Sequence, residues 1–333
     1  MEQKEKIRDL GIALKVLLLV LVAIVICGLI QTHASPPAST IQYIHFTSQG
    51  KSLDMAYVYR KSMKAGGETV LLLHGKNFSS AYWENTMDFL LGHGYNVLAP
   101  DQIGFGKSTK ATQYQYSFQQ LAANTKKLLD TLNIEKVTVI GHSMGGMLAI
   151  RFALMYPSVC TRLILENPIG LEDWKLKVPY TTIDNEYKKE LAQTRAKLKE
   201  YMTENYFHGV WKQDYEPLLD QSASYLNQKD FSAEAKCMAL TSDMIFTQPV
   251  CYEFSAIKVP VALIIGQADH TAIGKDRVTP EQAASMGDYP VLGQKASEAI
   301  KGSRLLELDG IGHIPHIENF KSFSQNLLKE LKI

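Results

Sequence analysis

The stretch VTVIGHSMGGMLAI, residues 137–150, constrains the fold more than any other part of the chain. Val137 to Ile140 is a short β-branched run of the kind that forms a buried strand. Met144, Met147, Leu148 and Ile150 then recur at helical spacing. Between the two patterns lies Gly141-His142-Ser143-Met144-Gly145, a G-x-S-x-G arrangement. A strand that turns into a helix this abruptly has no room for side chains on either side of the serine, so the flanking positions require glycine. The same geometry presents the hydroxyl at the top of the strand, at the N-terminus of the next helix.

Around this turn the pattern alternates. Ile41 to Phe46 and Leu53 to Tyr59 read as two early strands joined at Gln49-Gly50. Thr69 to Leu73 is an apolar run suited to a strand covered on both faces. A helix over Ala81 to Leu91, a strand over Asn96 to Ala99 and a helix over Ser117 to Leu132 follow, the last with Phe118, Leu121, Leu128 and Leu129 on its apolar face. Arg162 to Leu165, Val259 to Ile265 and Arg304 to Leu308 are further strands, and Phe320 to Leu331 is a closing helix. Such alternation predicts a mostly parallel eight-stranded sheet flanked by helices. It breaks after Pro168. Residues 170–254 are charged, aromatic and helical in texture, holding Trp174, Tyr187, Tyr201, Tyr206, Phe207, Trp211, Tyr215 and Tyr225. The expected organisation is an α/β core over 41–169 and 255–333, interrupted by a helical cap over 170–254. Most of the cap's rings are expected to form its own core. Thr247-Gln248-Pro249 and the long segment between Asp269 and Arg304 are candidates for the pocket border.

The N-terminus differs in kind. Val16 to Ile30 carries no charge, and Lys4, Lys6, Arg8 and Lys15 precede it. With Lys15 snorkelling, the run from Leu10 is long enough to span a bilayer. Residues 1–32 are therefore expected to be a membrane anchor, with a cleaved signal segment as the alternative. The positive-inside rule puts the rest of the chain outside the cytoplasm, periplasmic or extracellular. His33 to Thr40 is a small, Pro-rich linker. The remaining chain has ordinary globular composition, with 46% hydrophobic and 21% charged residues. A net charge of +1 gives no reason to expect a nucleic-acid partner. Outside the apolar run three cysteines remain, and only Cys237 and Cys251 could pair. No cofactor motif is present, and no metal-ligand spacing; His313 and His316 are too close for the helical zinc pair.

In sheets of this kind, ligands gather beyond the carboxyl ends of the strands. There the chain places His74-Gly75-Lys76-Asn77, Asp101-Gln-Ile-Gly-Phe-Gly106, Ser143, Glu166-Asn167-Pro168, Gly266-Gln-Ala-Asp269 and Gly310-Ile-Gly-His313. A serine, an acid and a histidine share one rim. The segment ending Gly106-Lys107-Ser108 has Asp101 where a phosphate-binding loop requires glycine, which excludes that reading. On HGKN, DQIGFGKS, GHSMGG, LIIGQAD and GIGHIPH, taken in order, residues 41–333 resemble the α/β-hydrolase superfamily. The resemblance is to its capped esterase, epoxide-hydrolase and C–C-hydrolase branch.

The chemistry of these groups and the resemblance together imply roles. A serine hydroxyl needs a base within hydrogen-bond reach. His313 would take the Ser143 proton, and Asp269 would orient the imidazole. The backbone N–H groups of Lys76 and Met144 would hold the oxyanion. Glu166 is the competing acid, and His316 the competing base. The family places its acid after the seventh strand, and a Gly-Ile-Gly loop precedes His313. His74 is expected to support the oxyanion loop and His142 to pack. The implied activity is hydrolysis of an ester-type bond in a small or medium apolar substrate through an acyl-enzyme. Alternatives are C–C or amide hydrolysis, including aminopeptidase action, by the same triad, and a non-catalytic ligand receptor. Epoxide hydrolases carry an aspartate where this chain has Ser143.

Overall fold

The computed structural model describes residues 40–64 and 66–332. The expected anchor or signal segment, residues 1–32, lies outside the described residues, as does nearly all of the linker. Among the described residues no helix is long and apolar enough to cross a membrane.

Eight strands form one sheet: β1 (Ile41–Ser48), β2 (Lys51–Arg60), β3 (Thr69–Leu73), β4 (Asn96–Pro100), β5 (Val137–His142), β6 (Cys160–Glu166), β7 (Val261–Gly266) and β8 (Arg304–Leu308). Their order is β1-β2-β4-β3-β5-β6-β7-β8. β1 pairs with β2, and β2 with β4, antiparallel; every later pairing is parallel. The first hairpin turns through Gln49 and Gly50, both at positive φ (51° and 71°), as a two-residue loop matched to strand twist requires.

The central strands are buried on both faces, and their parity sorts them into two layers. Val70 and Leu72 of β3 pack with Trp83, Met87, Leu90, Phe323 and Leu327, on the side of helices Glu84–Gly92 and Phe320–Leu331. Leu71 and Leu73 pack with Leu121, Leu128, Met147 and Leu148, on the side of helices Phe118–Thr131 and Met144–Met155. The unbroken TVLLL run is the sequence form of this double burial. The expected helix over Ala81 to Leu91 is a 3-10 turn, Ser80–Trp83, followed by the α-helix. Ser117 caps the longer helix rather than joining it: its hydroxyl accepts the Gln120 N–H at 3.0 Å.

Between β6 and β7 the main helices are Ile183–Leu191, Arg195–Asn205, Glu216–Ala223 and Phe231–Thr247. Trp174, Phe207, Tyr215 and Tyr225 are buried there, and Phe207 stacks on Tyr215 at 3.7 Å. Cys160, Cys237 and Cys251 are free thiols. Cys237 and Cys251, whose pairing the sequence left open, are not joined; Cys237 is buried beside Gly104.

Leu72 is fully buried in the central strand of the sheet. Leu72→Ala is expected to lower unfolding free energy by about 2–5 kcal/mol. Urea titration checks this as a lower midpoint at unchanged slope.

Candidate active site

Ser143 sits between β5 and the helix Met144–Met155 with φ 56° and ψ −122°. A non-glycine residue at positive φ is strained, by roughly 1–3 kcal/mol, and persists only where its surroundings dictate it. Here they do. A Cβ at Gly145 would lie 2.1 Å from Leu73 O, and one at Gly141 would lie 2.3 Å from Gly145 O. Both contacts are to backbone, so neither can be relieved by a side-chain rotation. The helix thus seats directly on the end of β3, and the serine is the residue that turns the corner.

His313 Nε2 lies 2.9 Å from Ser143 Oγ, and its Nδ1 lies 2.7 Å from Asp269 Oδ2. Both His313 and Asp269 are fully buried. Asp269 also accepts N–H bonds from Asn167 Nδ2 at 2.8 Å and from the Thr271 backbone at 2.8 Å. With the Nδ1 proton directed at Asp269, the Nε2 lone pair faces the serine hydroxyl. Asn167, left-handed at φ 34°, was not legible as a site residue. Its amide bridges two strands, since Oδ1 accepts the Gly266 N–H at 2.8 Å while Nδ2 holds the aspartate.

The loop after β3 passes over the serine: a Cβ at Gly75 would lie 3.1 Å from Ser143 Cβ. Buried His74 braces this loop, with Nδ1–H donating to Gly75 O at 2.8 Å and Nε2 accepting the Gln102 N–H at 3.0 Å. The Gly75 N–H donates to Tyr82 Oη at 2.9 Å, and that hydroxyl is 3.0 Å from His142 Nδ1. His142 Nε2–H donates onward to His313 O at 2.8 Å. Burial, and then the neighbouring His313, push His142 well below the ordinary histidine value. It is a neutral linker between the two loops. Lys76 turns its side chain to Glu190 in the helical insertion, at 2.8 Å. In the neighbouring loop, Asp101 accepts the Ser80 and Lys107 N–H groups at 2.7 and 2.8 Å.

The two competing residues bond to each other. His316 lies on Glu166 through Nδ1 at 2.9 Å and through its backbone N–H at 2.8 Å. Its ring stacks on Trp83 at 4.2 Å. Burial raises Glu166 to about 7, and burial also holds His316 well below its ordinary value.

A cavity of about 490 Å³ opens on Ser143. Lys76, Ile169, Tyr201, Tyr206 and Phe246 line it, together with Thr271 to Arg277 from the long segment after Asp269. Thr247 to Pro249 does not border it; Gln248 instead accepts the Phe118 N–H at 3.0 Å.

Residues 68–320 match the family model described as alpha/beta hydrolase fold. A crystal structure of a "probable hydrolytic enzyme" from Pseudomonas aeruginosa PAO1 is similar at a TM-score of 0.87 and 46% identity, over 88% of this chain and 95% of that one. A Paraburkholderia phymatum protein named 2-hydroxy-6-oxononadienedioate/2-hydroxy-6-oxononatrienedioate hydrolase is 35% identical over 137 residues, covering 40% of this chain and 46% of its own. An uncharacterized protein of Mycobacterium tuberculosis H37Rv is 37% identical over 115 residues, covering 34% of this chain and 33% of its own. The chain thus spans less than half the length of these curated relatives.

The Glu166–His316 couple gives a test in pH. A carboxyl raised in the folded state contributes stability that is complete below its unfolded value, about 4.5, and is lost as pH rises through about 7. His316, held neutral, contributes the opposite slope below about pH 6.5. Glu166→Gln removes the first effect. Its stability relative to wild type is expected to improve from pH 5 to about pH 7 and to level off above that, read by urea unfolding at each pH. A constant difference would refute the raised carboxyl.

Proposed function

The chain belongs to the alpha/beta-hydrolase family, and from that premise we propose that it is a serine hydrolase acting through an acyl-enzyme on an ester-type bond of a small or medium substrate. The observation that carries this reading is the buried line Asp269 Oδ2–His313–Ser143 Oγ, with steps of 2.7 and 2.9 Å, opening on a cavity. Ser143 Oγ attacks the carbonyl carbon while its proton passes to His313 Nε2. Asp269 holds Nδ1–H and stabilises the imidazolium that forms. The electron pair of the carbonyl moves to its oxygen, which accepts hydrogen bonds from Lys76 N–H and Met144 N–H. Met144 opens a helix, so its N–H has no acceptor within that helix. The Lys76 N–H belongs to the loop that Gly75 brings over the serine. Collapse of the intermediate expels the leaving oxygen, which takes the proton from Nε2. Water then repeats the sequence on the acyl-serine, with His313 again the base.

A cavity of about 490 Å³ fits the range used for small-molecule ligands. Ile169, Leu198, Ile245 and Phe246 give it apolar surface. A second reading uses the same three groups to cleave a C–C bond, supported by the partial likeness to the Paraburkholderia hydrolase named for hydroxy-oxo-dioates. Residues 1–32 complete the proposal as an anchor or export signal holding the catalytic part outside the cytoplasm, on the strength of the uncharged run Val16 to Ile30 behind Lys4, Lys6, Arg8 and Lys15.

On the full chain, a fluorophosphonate probe is expected to label wild type and not Ser143→Ala. Ester turnover by that variant should fall by about 10⁶, the loss typical of serine proteases. A folded wild type that resists the probe would refute the acyl-enzyme. p-Nitrophenyl esters of increasing length, run beside a hydroxy-oxo-dienoate, separate the two readings. Resistance to alkaline carbonate extraction is the expected signature of the anchor.

A further inference from the structure

Three loops that meet at Ser143 all bond to two consecutive residues of the helical insertion. Thr271 Oγ1, two residues after Asp269, donates to Asn205 O at 3.0 Å. The His313 N–H donates to Tyr206 O at 2.9 Å. Asn77 Nδ2, beside Lys76, donates to Tyr206 Oη at 2.9 Å. Asn205 is the last residue of the helix Arg195–Asn205, and Tyr206 caps it. Carbonyls at a helix C-terminus have no donor within the helix. Here the acid loop and the base loop supply those donors.

Tyr206 also meets the imidazole itself. Its ring lies against that of His313, with centroids 4.8 Å apart and planes inclined by 25°. Tyr206 is buried, and its hydroxyl is pushed well above the ordinary tyrosine range by that burial. The base loop has kept the space for this contact: a Cβ at Gly312 would lie 2.2 Å from Tyr206 O. A second strap lies alongside. Glu318 accepts the Gly312 N–H at 2.6 Å and meets His208 of the insertion at 2.9 Å.

We propose that Tyr206 is a positioning residue through which the cap sets the orientation of His313 toward Ser143 and Asp269. The proposal rests on the serine-hydrolase reading. Two effects combine. The flat ring closes one face of the imidazole, so rotation away from Ser143 Oγ meets a wall. The same π-face stabilises the imidazolium that exists only after proton transfer. An interaction made in the transition state and not with the bound substrate lowers kcat when removed and leaves KM nearly untouched. The ring is what acts; the backbone carbonyl survives any substitution, and the hydroxyl serves the Asn77 contact.

The test compares Tyr206→Ala, Tyr206→Leu and Tyr206→Phe in the full chain, each checked for folding by thermal unfolding. Misplacement of a reacting group by an ångström costs about 10²-fold. Tyr206→Ala is expected to lower kcat for a p-nitrophenyl ester by about 10- to 100-fold, a loss larger than the change in KM that follows from the ring's place in the cavity wall. The rate of fluorophosphonate labelling should fall in step. Tyr206→Phe keeps the ring and is expected to retain kcat within about threefold, well short of the misplacement cost. Tyr206→Leu keeps bulk without a π-face; it should resemble Ala, and it is the variant to read where Ala does not fold. A folded Leu variant that labels and turns over like wild type overturns the proposal. So does a Phe variant as impaired as Leu, which would assign the effect to the hydroxyl. A wild type that does not label overturns the hydrolase reading and this inference with it, an outcome distinguishable from the other two.

Discussion

The seating of one helix on one strand carries the site. Because Gly145 lies against Leu73 O and Gly141 against Gly145 O, the helix Met144–Met155 starts where β5 ends, and Ser143 must turn the corner at positive φ. The parallel register then decides what surrounds it. Leu73 is opposite Gly141, and His142 is opposite Glu166. The loops that leave β3 and β6 therefore begin level with the serine, one on each side. β7 and β8 continue the stagger, with Glu166 opposite Ile264 and Gly266 opposite Leu308. The loops that carry Asp269 and His313 therefore leave the same edge. Residues separated by well over a hundred positions meet because the strands are in register, and a glycine pair sets the starting level.

The fold class and the core of the site were open to sequence reading because their signals are local. An uninterrupted apolar run gives a strand buried on both faces, a serine between glycines gives a turn, and each strand end marks the rim. The choice between Asp269 and Glu166, and between His313 and His316, rested on family likeness and loop character. In the structure the four residues sort into two couples, and the reason is parity. Successive side chains of a strand point to opposite faces. Glu166 has the parity of Ile164, which packs in the layer of Trp83 and Phe323, and there it meets His316, whose ring stacks on Trp83. Asn167, one position on, is free of that layer and reaches Asp269. Parity can be counted in a sequence. Which layer each parity faces depends on helices that pack from elsewhere in the chain.

The residues that sequence reading missed are those whose roles are wholly non-local. Asn167 stood in plain view after β6, but its neighbour Pro168 marked only the end of a strand. Its left-handed backbone and its double bond to Gly266 N–H and Asp269 follow from the β6–β7 pairing. Tyr206 was one aromatic among thirteen in residues 170–254, a segment with no strand to give it a frame. The Lys76 side chain pairs with Glu190 from a helix more than a hundred residues away, a contact no local pattern announces. Each of these contacts joins the insertion or a strand end to a loop that local pattern places nowhere near it.

The bonds that tie the insertion to the core are of two kinds. The Lys76–Glu190 pair has side chains 16% and 12% exposed. Both side chains are mostly buried, so parting the pair without water leaves two poorly solvated charges. The carbonyls of Asn205 and Tyr206 are different. They are helix-end acceptors whose donors, Thr271 Oγ1 and His313 N–H, come from the site itself. Separating them without water leaves polar groups unsatisfied on both sides, at about 1–3 kcal/mol each. The helix Ile183–Leu191 is thus tied to the core by ion pairs, Lys76–Glu190 and Lys189–Asp276, while the end of Arg195–Asn205 is tied by backbone carbonyls. The two kinds of tie meet the cavity at different places, the ion pairs at its Glu190 side and the carbonyls beside the imidazole, so the wall over Ser143 and the frame of His313 come from separate contacts of one insertion.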